Sequence, residues 1–263
     1  MDLGLRDKVA LVTAASKGLG RAAAMELARE GAAVAIAART AAGVEAAAAE
    51  IRAATGARVL AVTADVSREA DLIRLAGEVT AIYGRIDVLV NNAGGPPPGR
   101  FSEVSDEDWL HAAELTLLSA VRLTRLVLPG MRARRWGRIV NITSISVKQP
   151  IATLVLSNAL RSGVVAMAKT LAGEVAAEGV TVNNVCPGYF LTDRVRNLAQ
   201  HTAQAEGRAV SEVLAAQEAA VPMQRIGRPE ELAAMIAFLA SERAAYITGA
   251  TIQVDGGQYG GLL

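Results

Sequence analysis

Short apolar runs recur along the chain, separated by longer stretches rich in Ala, Glu, Leu and Arg. The first run is Val9, Ala10, Leu11 and Val12, with charge before it and small residues after it. It reads as a buried strand. Runs of the same kind fall at residues 33–38, 59–63, 86–90, 137–143, 180–185 and 251–254. The stretches between them, at residues 21–30, 41–54, 68–83, 106–134, 154–177 and 229–239, carry good helix formers. The long one at 106–134 is expected to break near Pro129. Pro229 followed by two glutamates marks a helix start. Strict alternation of strand and helix predicts an α/β fold, a doubly wound Rossmann-type parallel sheet with helices on both faces. Residues 191–221 are more polar and irregular, and are expected to form the helical pieces of a lid.

The turn after the first run changes the picture from fold to chemistry. It reads Thr13-Ala14-Ala15-Ser16-Lys17-Gly18-Leu19-Gly20, small residues and two glycines between strand and helix. That layout aims backbone N–H groups and a helix N-terminus at a phosphate. Composition narrows the rest. A chain of 263 residues, 52% hydrophobic, suits one core, so residues 1–263 are expected to form a single domain. A net charge of +1 argues against a nucleic-acid partner. The lone Cys186 rules out an internal disulfide framework and fits a reducing, cytoplasmic setting. No apolar run is long enough to span a bilayer, and the polar residues after Met1 predict no secretory leader. No metal-ligand spacing stands out. With aromatics at 3%, the core must come from Ala, Val, Leu and Ile.

Several spaced motifs agree with one another. Thr13–Gly20 resembles T-G-x-x-x-G-x-G of the short-chain dehydrogenase/reductases. Asp65-Val66, Asn91-Asn92-Ala93-Gly94, Gly137-Arg138-Ile139-Val140-Asn141-Ile142, Pro187-Gly188 with Thr192, and Ile247-Thr248-Gly249 with Asp255-Gly256-Gly257 are similar to that family's landmarks, in its order. The 3-oxoacyl-carrier-protein reductases are the most similar subgroup. The resemblance implies a seven-stranded doubly wound sheet and a homotetramer. Ala14 stands where the family has its first glycine, and the loop is expected to survive if Ala14 keeps φ below zero.

The resemblance also distributes the cofactor. Thr13, Ser16, Lys17, Gly18, Leu19 and Gly20 would form its phosphate loop, and Asp65 and Val66 would flank the adenine. Asn92, Ala93 and Gly94 would line the path to the ribose. Pro187, Gly188, Phe190 and Thr192 would take the nicotinamide side. An NAD-selecting protein places an acid at the end of the second strand, to bond the ribose 2′-OH. Here that position is Ala38, followed by Arg39, with Lys17 in the glycine loop. Two cations and no carboxylate point to a 2′-phosphate, hence NADP(H).

The catalytic pattern departs from the family. Ser144 matches the family serine. Thirteen residues on, where the resemblance expects Tyr, stands Ser157; four further on, where it expects Lys, stands Arg161. Thr116 takes the place of the supporting Asn. A serine hydroxyl is a poor substitute for a tuned phenol, and Arg161 cannot relay a proton, but it can hold the cofactor ribose or a developing oxyanion. Tyr189, Lys148 and His111 are other potential donors, although each reads more simply as a packing or surface residue. The expectation is an oxidoreductase transferring a hydride between NADP(H) and a small carbonyl or alcohol substrate by a modified proton route, with Ser144, Ser157 and Arg161 as its catalytic residues. The alternative is an NADP(H)-binding protein without dehydrogenase activity, serving regulation or assembly.

Overall fold

The computed structural model describes residues 2–262. Seven strands form one sheet: β1 (Val9–Val12), β2 (Ala33–Ala38), β3 (Val59–Thr63), β4 (Val88–Asn91), β5 (Gly137–Ile142), β6 (Val180–Pro187) and β7 (Thr251–Val254). Their order is β3-β2-β1-β4-β5-β6-β7, and every neighbouring pair is parallel. The winding reverses between β1 and β4. In an open parallel sheet such a switch point opens a crevice beyond the carboxyl ends of the strands.

The helices are α1 (Gly18–Arg29), α2 (Ala41–Thr55), α3 (Glu69–Tyr83), α4 (Asp106–Ala112), α5 (Ser119–Arg134), α6 (Val155–Val175), α7 (Asp193–Glu206), α8 (Val210–Ala219) and α9 (Pro229–Leu239). Successive strand residues point to opposite faces, and each face has its own core. Ala10 and Val12 pack with Leu27 of α1, Ile51 of α2 and Ile236 of α9. Val9 and Leu11 pack with Leu72 of α3, Leu123 of α5 and Ala172 of α6. The sheet is thus sandwiched between two helical layers. Alanines at 23, 24 and 28 of α1 and at 233 and 237 of α9 are buried, so these two helices lie close without large side chains. Among the described residues no helix is long and apolar enough to cross a membrane.

Three departures from the expected elements bear on the site. Helix α1 starts at Gly18 rather than Arg21, because the glycines themselves form its first turn. Strand β4 keeps Asn91, the first residue of the expected loop, as its last paired position, opposite Asn141. The long helix does not break at Pro129, which lies inside α5. Pro129 and Arg125, four residues before it, are both exposed, so water can satisfy the carbonyl that the proline leaves free. The irregularity comes earlier, as a π-helical stretch at Ala113–Leu118 between α4 and α5. Such stretches widen a helix locally and often mark functional sites. Residues 193–219 are two regular helices, α7 and α8, sharing a small apolar cluster of Ala199, Ala203 and Val213 apart from the main cores.

Candidate active site

The crevice at the β1/β4 switch point is floored by the turn after β1. The Thr13 hydroxyl donates to the Asn92 carbonyl at 2.7 Å and accepts from the Asn92 N–H at 2.9 Å, locking this turn to the end of β4. Asn92 also donates its side-chain amide to the Ala14 carbonyl at 3.2 Å. A Cβ on Gly20 would stand 2.6 Å from that carbonyl and 2.6 Å from the Asn92 amide nitrogen, so this position demands glycine. Lys17, at the N-cap of α1, makes no side-chain cap. The helix therefore presents uncapped N–H groups to the crevice, the arrangement that suits a phosphate. Ser16 lies beside the start of α2, near the position of Gly43. Leu19 turns inward onto the core.

Ala14 corrects one expectation. Its φ is 47°, in the left-handed region, not below zero. The turn needs that conformation to aim the Ala14 carbonyl at Asn92 while Gly20 passes beneath. A non-glycine residue there is strained by about 1–2 kcal/mol. Glycine removes the strain but adds freedom to the unfolded chain, worth about 0.4–1 kcal/mol. Ala14→Gly is therefore expected to stabilise the protein by about 0.5–1 kcal/mol, a rise in Tm of about 1–3 °C. A thermal melt in which Ala14→Gly unfolds below the parent would contradict this reading.

The two cations expected to meet the cofactor's 2′-phosphate stand in different situations. Arg39, just past β2, is exposed and has no ion pair or hydrogen bond among the described residues. Lys17 reaches Asp193 at the start of α7, 3.2 Å away. Both partners of that pair are more than half exposed, so it contributes little and can open. Asp65 accepts from the Ser67 N–H at 3.0 Å and the Ser67 hydroxyl at 2.8 Å. Its own N–H donates to Asp71, which holds that carboxyl below the usual range. Val66 is buried.

At the centre of the sheet, side-chain amides join four strands in a row. Asn91 donates to the Asn141 carbonyl oxygen at 2.9 Å, Asn141 to Asn184 at 2.9 Å, and Asn184 to the Thr251 hydroxyl at 3.2 Å. Beyond this row lie the expected catalytic residues. Ser144 follows β5 half-buried, its Oγ accepting from the Ser146 N–H at 3.1 Å. Ser157 is buried in the first turn of α6, and its hydroxyl has no partner among the described residues. Arg161, one turn later, is buried too. Its Nη1 donates to the carbonyls of Ile142 and Thr143 at 2.9 and 3.0 Å, tying α6 to the end of β5. Burial, with Arg194 nearby, lowers its pKa to about 10. It stays charged at neutral pH.

The residues expected on the nicotinamide side follow from the end of β6. Pro187 pairs with Val254, and a Cβ on Gly188 would press within 3.0 Å of Asp255. Phe190 is buried against Gly227. Thr192 caps α7, and its methyl lies near Gly18 across the crevice. Gly94 is exposed and Ala93 partly buried. The residues fit a dinucleotide: a tight glycine turn, an uncapped helix end and an Arg39 without a partner among the described residues. Of the other donors weighed from the sequence, His111 is exposed on α4, and Lys148 and Tyr189 are half-buried.

A family model described as enoyl-(acyl carrier protein) reductase matches residues 13–258. A 3-oxoacyl-[acyl-carrier-protein] reductase of Vibrio cholerae is 40% identical over 257 residues, spanning 98% of this chain and 99% of that one. The chain belongs to the short-chain dehydrogenase/reductases. Among solved members, L-sorbose reductase from Gluconobacter frateurii, complexed with NADPH and L-sorbose, superposes with a TM-score of 0.95 at 36% identity, over 100% of both chains. An actinorhodin polyketide ketoreductase variant with NADPH gives 0.92 at 37% identity, over 95% of this chain and 97% of that one.

Within this short-chain dehydrogenase/reductase the sequence passed over two features of the site. Arg194 of α7 donates to the Pro96 carbonyl at 2.8 Å, holding α7 to the Gly95–Pro96 loop. Its only signal was a cation two residues past Thr192. The amide row was visible as single polar residues closing apolar strands, but its pairing depends on register.

Proposed function

We propose that the protein is an NADP(H)-dependent oxidoreductase interconverting a carbonyl and an alcohol, akin to a 3-oxoacyl reductase, without the Tyr and Lys of its family. NADPH, when bound, would supply the hydride. Thr13, Ser16, Gly18 and Gly20 would hold its pyrophosphate, Arg39 and Lys17 its 2′-phosphate, and Asp65 and Val66 its adenine. Asn92, Ala93, Gly94, Pro187, Gly188, Phe190 and Thr192 would line its nicotinamide half. The observation that carries the chemical reading is Arg161. It is a buried guanidinium with one nitrogen fixed on the carbonyls of Ile142 and Thr143, no other hydrogen bond among the described residues, and a place in the same pocket wall as Asn92 and Ala93.

A guanidinium fixed in this way stabilises negative charge without moving, which is what an oxyanion requires. Ser144 would polarise the carbonyl. Ser157, with its free hydroxyl, would pass the proton through water, because a serine cannot serve as the tuned acid itself. The Lys17–Asp193 and Arg194–Pro96 contacts support α7 and α8, residues 191–221, as a lid over the substrate. We further read the chain as a cytoplasmic homotetramer. Phe101 and Leu110, around α4, and Leu126, on α5, expose large apolar side chains suited to burial between copies.

The test is a screen of ketones and 3-oxoacyl thioesters by NADPH absorbance, with parent and Ser144→Ala. The parent is expected to oxidise NADPH on at least one substrate. Ser144→Ala should lose about 10²–10³-fold in turnover with NADPH affinity unchanged. A parent inert on every substrate, yet binding NADPH, would favour a non-catalytic role.

A further inference from the structure

The lid is tethered by a cation that uses only one of its nitrogens. Arg194 lies in the first turn of α7, where solvent can reach it. Its Nη2 donates to the Pro96 carbonyl at 2.8 Å. A Cβ on Gly95 would stand 2.9 Å from Nη2, 3.1 Å from Cζ and 3.2 Å from Nε, so the guanidinium rests against the bare backbone of that glycine. The loop beneath it leaves β4 and touches the approach to α6. There the Gly99 N–H donates to the Thr153 carbonyl at 2.7 Å, just ahead of the helix that carries Ser157 and Arg161. Arg194 is thus seated where the lid, the loop after β4 and the start of α6 meet.

Nothing acidic balances it. Among the described residues Arg194 has no ion pair, and its one hydrogen bond goes to a neutral carbonyl. Partial burial lowers its pKa, and its charge bears on Arg161. Arg161 and the half-buried Lys148 in turn bear on the Cys186 thiol at the end of β6. Neither has an ion pair among the described residues. Three cations therefore gather beyond the carboxyl ends of β5 and β6 with no carboxylate paired to any of them. The acids on the adjoining segments are engaged elsewhere. Asp193 pairs with Lys17 and Arg196, Glu103 accepts from the Arg100 N–H, and Asp255 accepts from the N–H groups of Gly257 and Tyr259. A cleft lined by one sign of charge gathers and orients ligands of the other.

We propose that the substrate is a small oxo acid, or the hydroxy acid it forms, whose carboxylate is held by Arg194 while its carbonyl meets Ser144 and Arg161. The proposal rests on the carbonyl-reductase reading and adds a charge to the substrate. Nε, Nη1 and the second hydrogen of Nη2 are unengaged, so the guanidinium can offer a carboxylate two parallel donors without leaving Pro96. The carboxylate is a handle and takes no part in the reaction. A hydride from NADPH and one proton relayed from water turn the ketone into the alcohol. Because the charge of Arg194 is felt at Arg161, the anionic group belongs to the small substrate itself. The phosphate of a carrier thioester would lie a long arm away from its ketone.

Acetoacetate and levulinate are the probes, each set against its methyl ester, which keeps the ketone and removes the charge. The full-length parent is expected to favour acid over ester about 10–100-fold in kcat/KM for at least one pair, the usual gain from a charge-assisted contact. Most of the difference should lie in KM, because the carboxylate is held alike before and during reaction. Arg194→Met should bring the ratio to about one. Arg194→Lys, which keeps the charge and loses the fork, should retain part of it. Gly95→Ala, which crowds the seat of the guanidinium, should lower it as well. Calorimetry with the same acids and esters, with and without NADP+, reads binding apart from turnover. The parent should bind the acid more tightly than its ester, and Arg194→Met should not. Acid binding that needs Arg194, in a parent inert on all four compounds, would support the carboxylate site and count against the reductase reading alone. Equal binding of acid and ester by the parent in both pairs would overturn the proposal. So would a preference that survives Arg194→Met, which would assign the carboxylate to another cation.

Discussion

Arg161→Ala is expected to lower turnover by about 10²–10³-fold, the usual cost of removing a fixed donor aimed at developing negative charge. NADPH affinity should fall as well, which separates it from Ser144→Ala. The carbonyls of Ile142 and Thr143 lose their buried donor in this variant. An unsatisfied buried group costs about 1–3 kcal/mol, so thermal stability should drop too. The double substitution Ser157→Tyr with Arg161→Lys sharpens the result. A reductase merely deprived of its acid would regain about 10²–10⁴-fold on a generic ketone. Here the pair is expected to leave the protein's own reaction unchanged or slower. A tyrosine must enter a position that is 6% exposed, and a lysine carries a single nitrogen where the guanidinium holds two carbonyls and still has donors to spare. Stopped-flow absorbance on parent, Arg161→Ala and the double variant decides it. A vigorous double variant beside an inert parent would reverse the reading.

Arg39→Asp should exchange the cofactors. The parent is expected to bind NADPH about 10–100-fold more tightly than NADH, because a charge-assisted hydrogen bond is worth about 1.5–3 kcal/mol. Arg39 is exposed and has no partner among the described residues, so none of their contacts has to be broken before it meets a phosphate. Aspartate removes that partner, repels the 2′-phosphate and offers an acceptor to a ribose 2′-OH. The variant should prefer NADH. Lys17→Ala should shift the ratio less, since Lys17 already has Asp193. Fluorescence titration of both cofactors reads the outcome directly. Equal affinity of the parent for NADPH and NADH would remove the basis of the assignment.

The seven strands were legible because each is a short run of Val, Ile, Leu and Ala closed by turn residues, and their ends fall within a few residues of expectation. The place of the helix irregularity was not. Proline is the residue that sequence flags as a breaker, but Pro129 sits where water can serve the freed carbonyl, while no residue type announces the stretch at Ala113–Leu118. The backbone of Ala14 was misjudged for a related reason. Its φ is imposed by Gly20 and Asn92, six and 78 positions away. The lysine and arginine of the cofactor end were both visible, yet only the fold shows that Lys17 is paired with Asp193 and Arg39 is free. Ser157 and Arg161 could be placed on one helix face by spacing. That Arg161 turns to the carbonyls of β5, and that Thr116 is left without a partner, required the packing of α6 and the π-helical stretch against the sheet.

The amide row carries a consequence for how the strands find one another. Sliding one strand by a single residue would turn its apolar face to the wrong layer, and burial forbids it. A slide of two residues keeps the faces correct, and strands of Val, Ile and Ala would tolerate it with little change in buried area. Asn91, Asn141, Asn184 and Thr251 occupy directly opposed positions on β4, β5, β6 and β7. A two-residue slide of β5 that brought Ile139 opposite Asn91 and Asn184 would set an aliphatic side chain between two amides and strand their donors and acceptors in a dry interior. The row thus acts as a proofreading mark on the alignment of half the sheet, rejecting the one misalignment that hydrophobicity alone would accept.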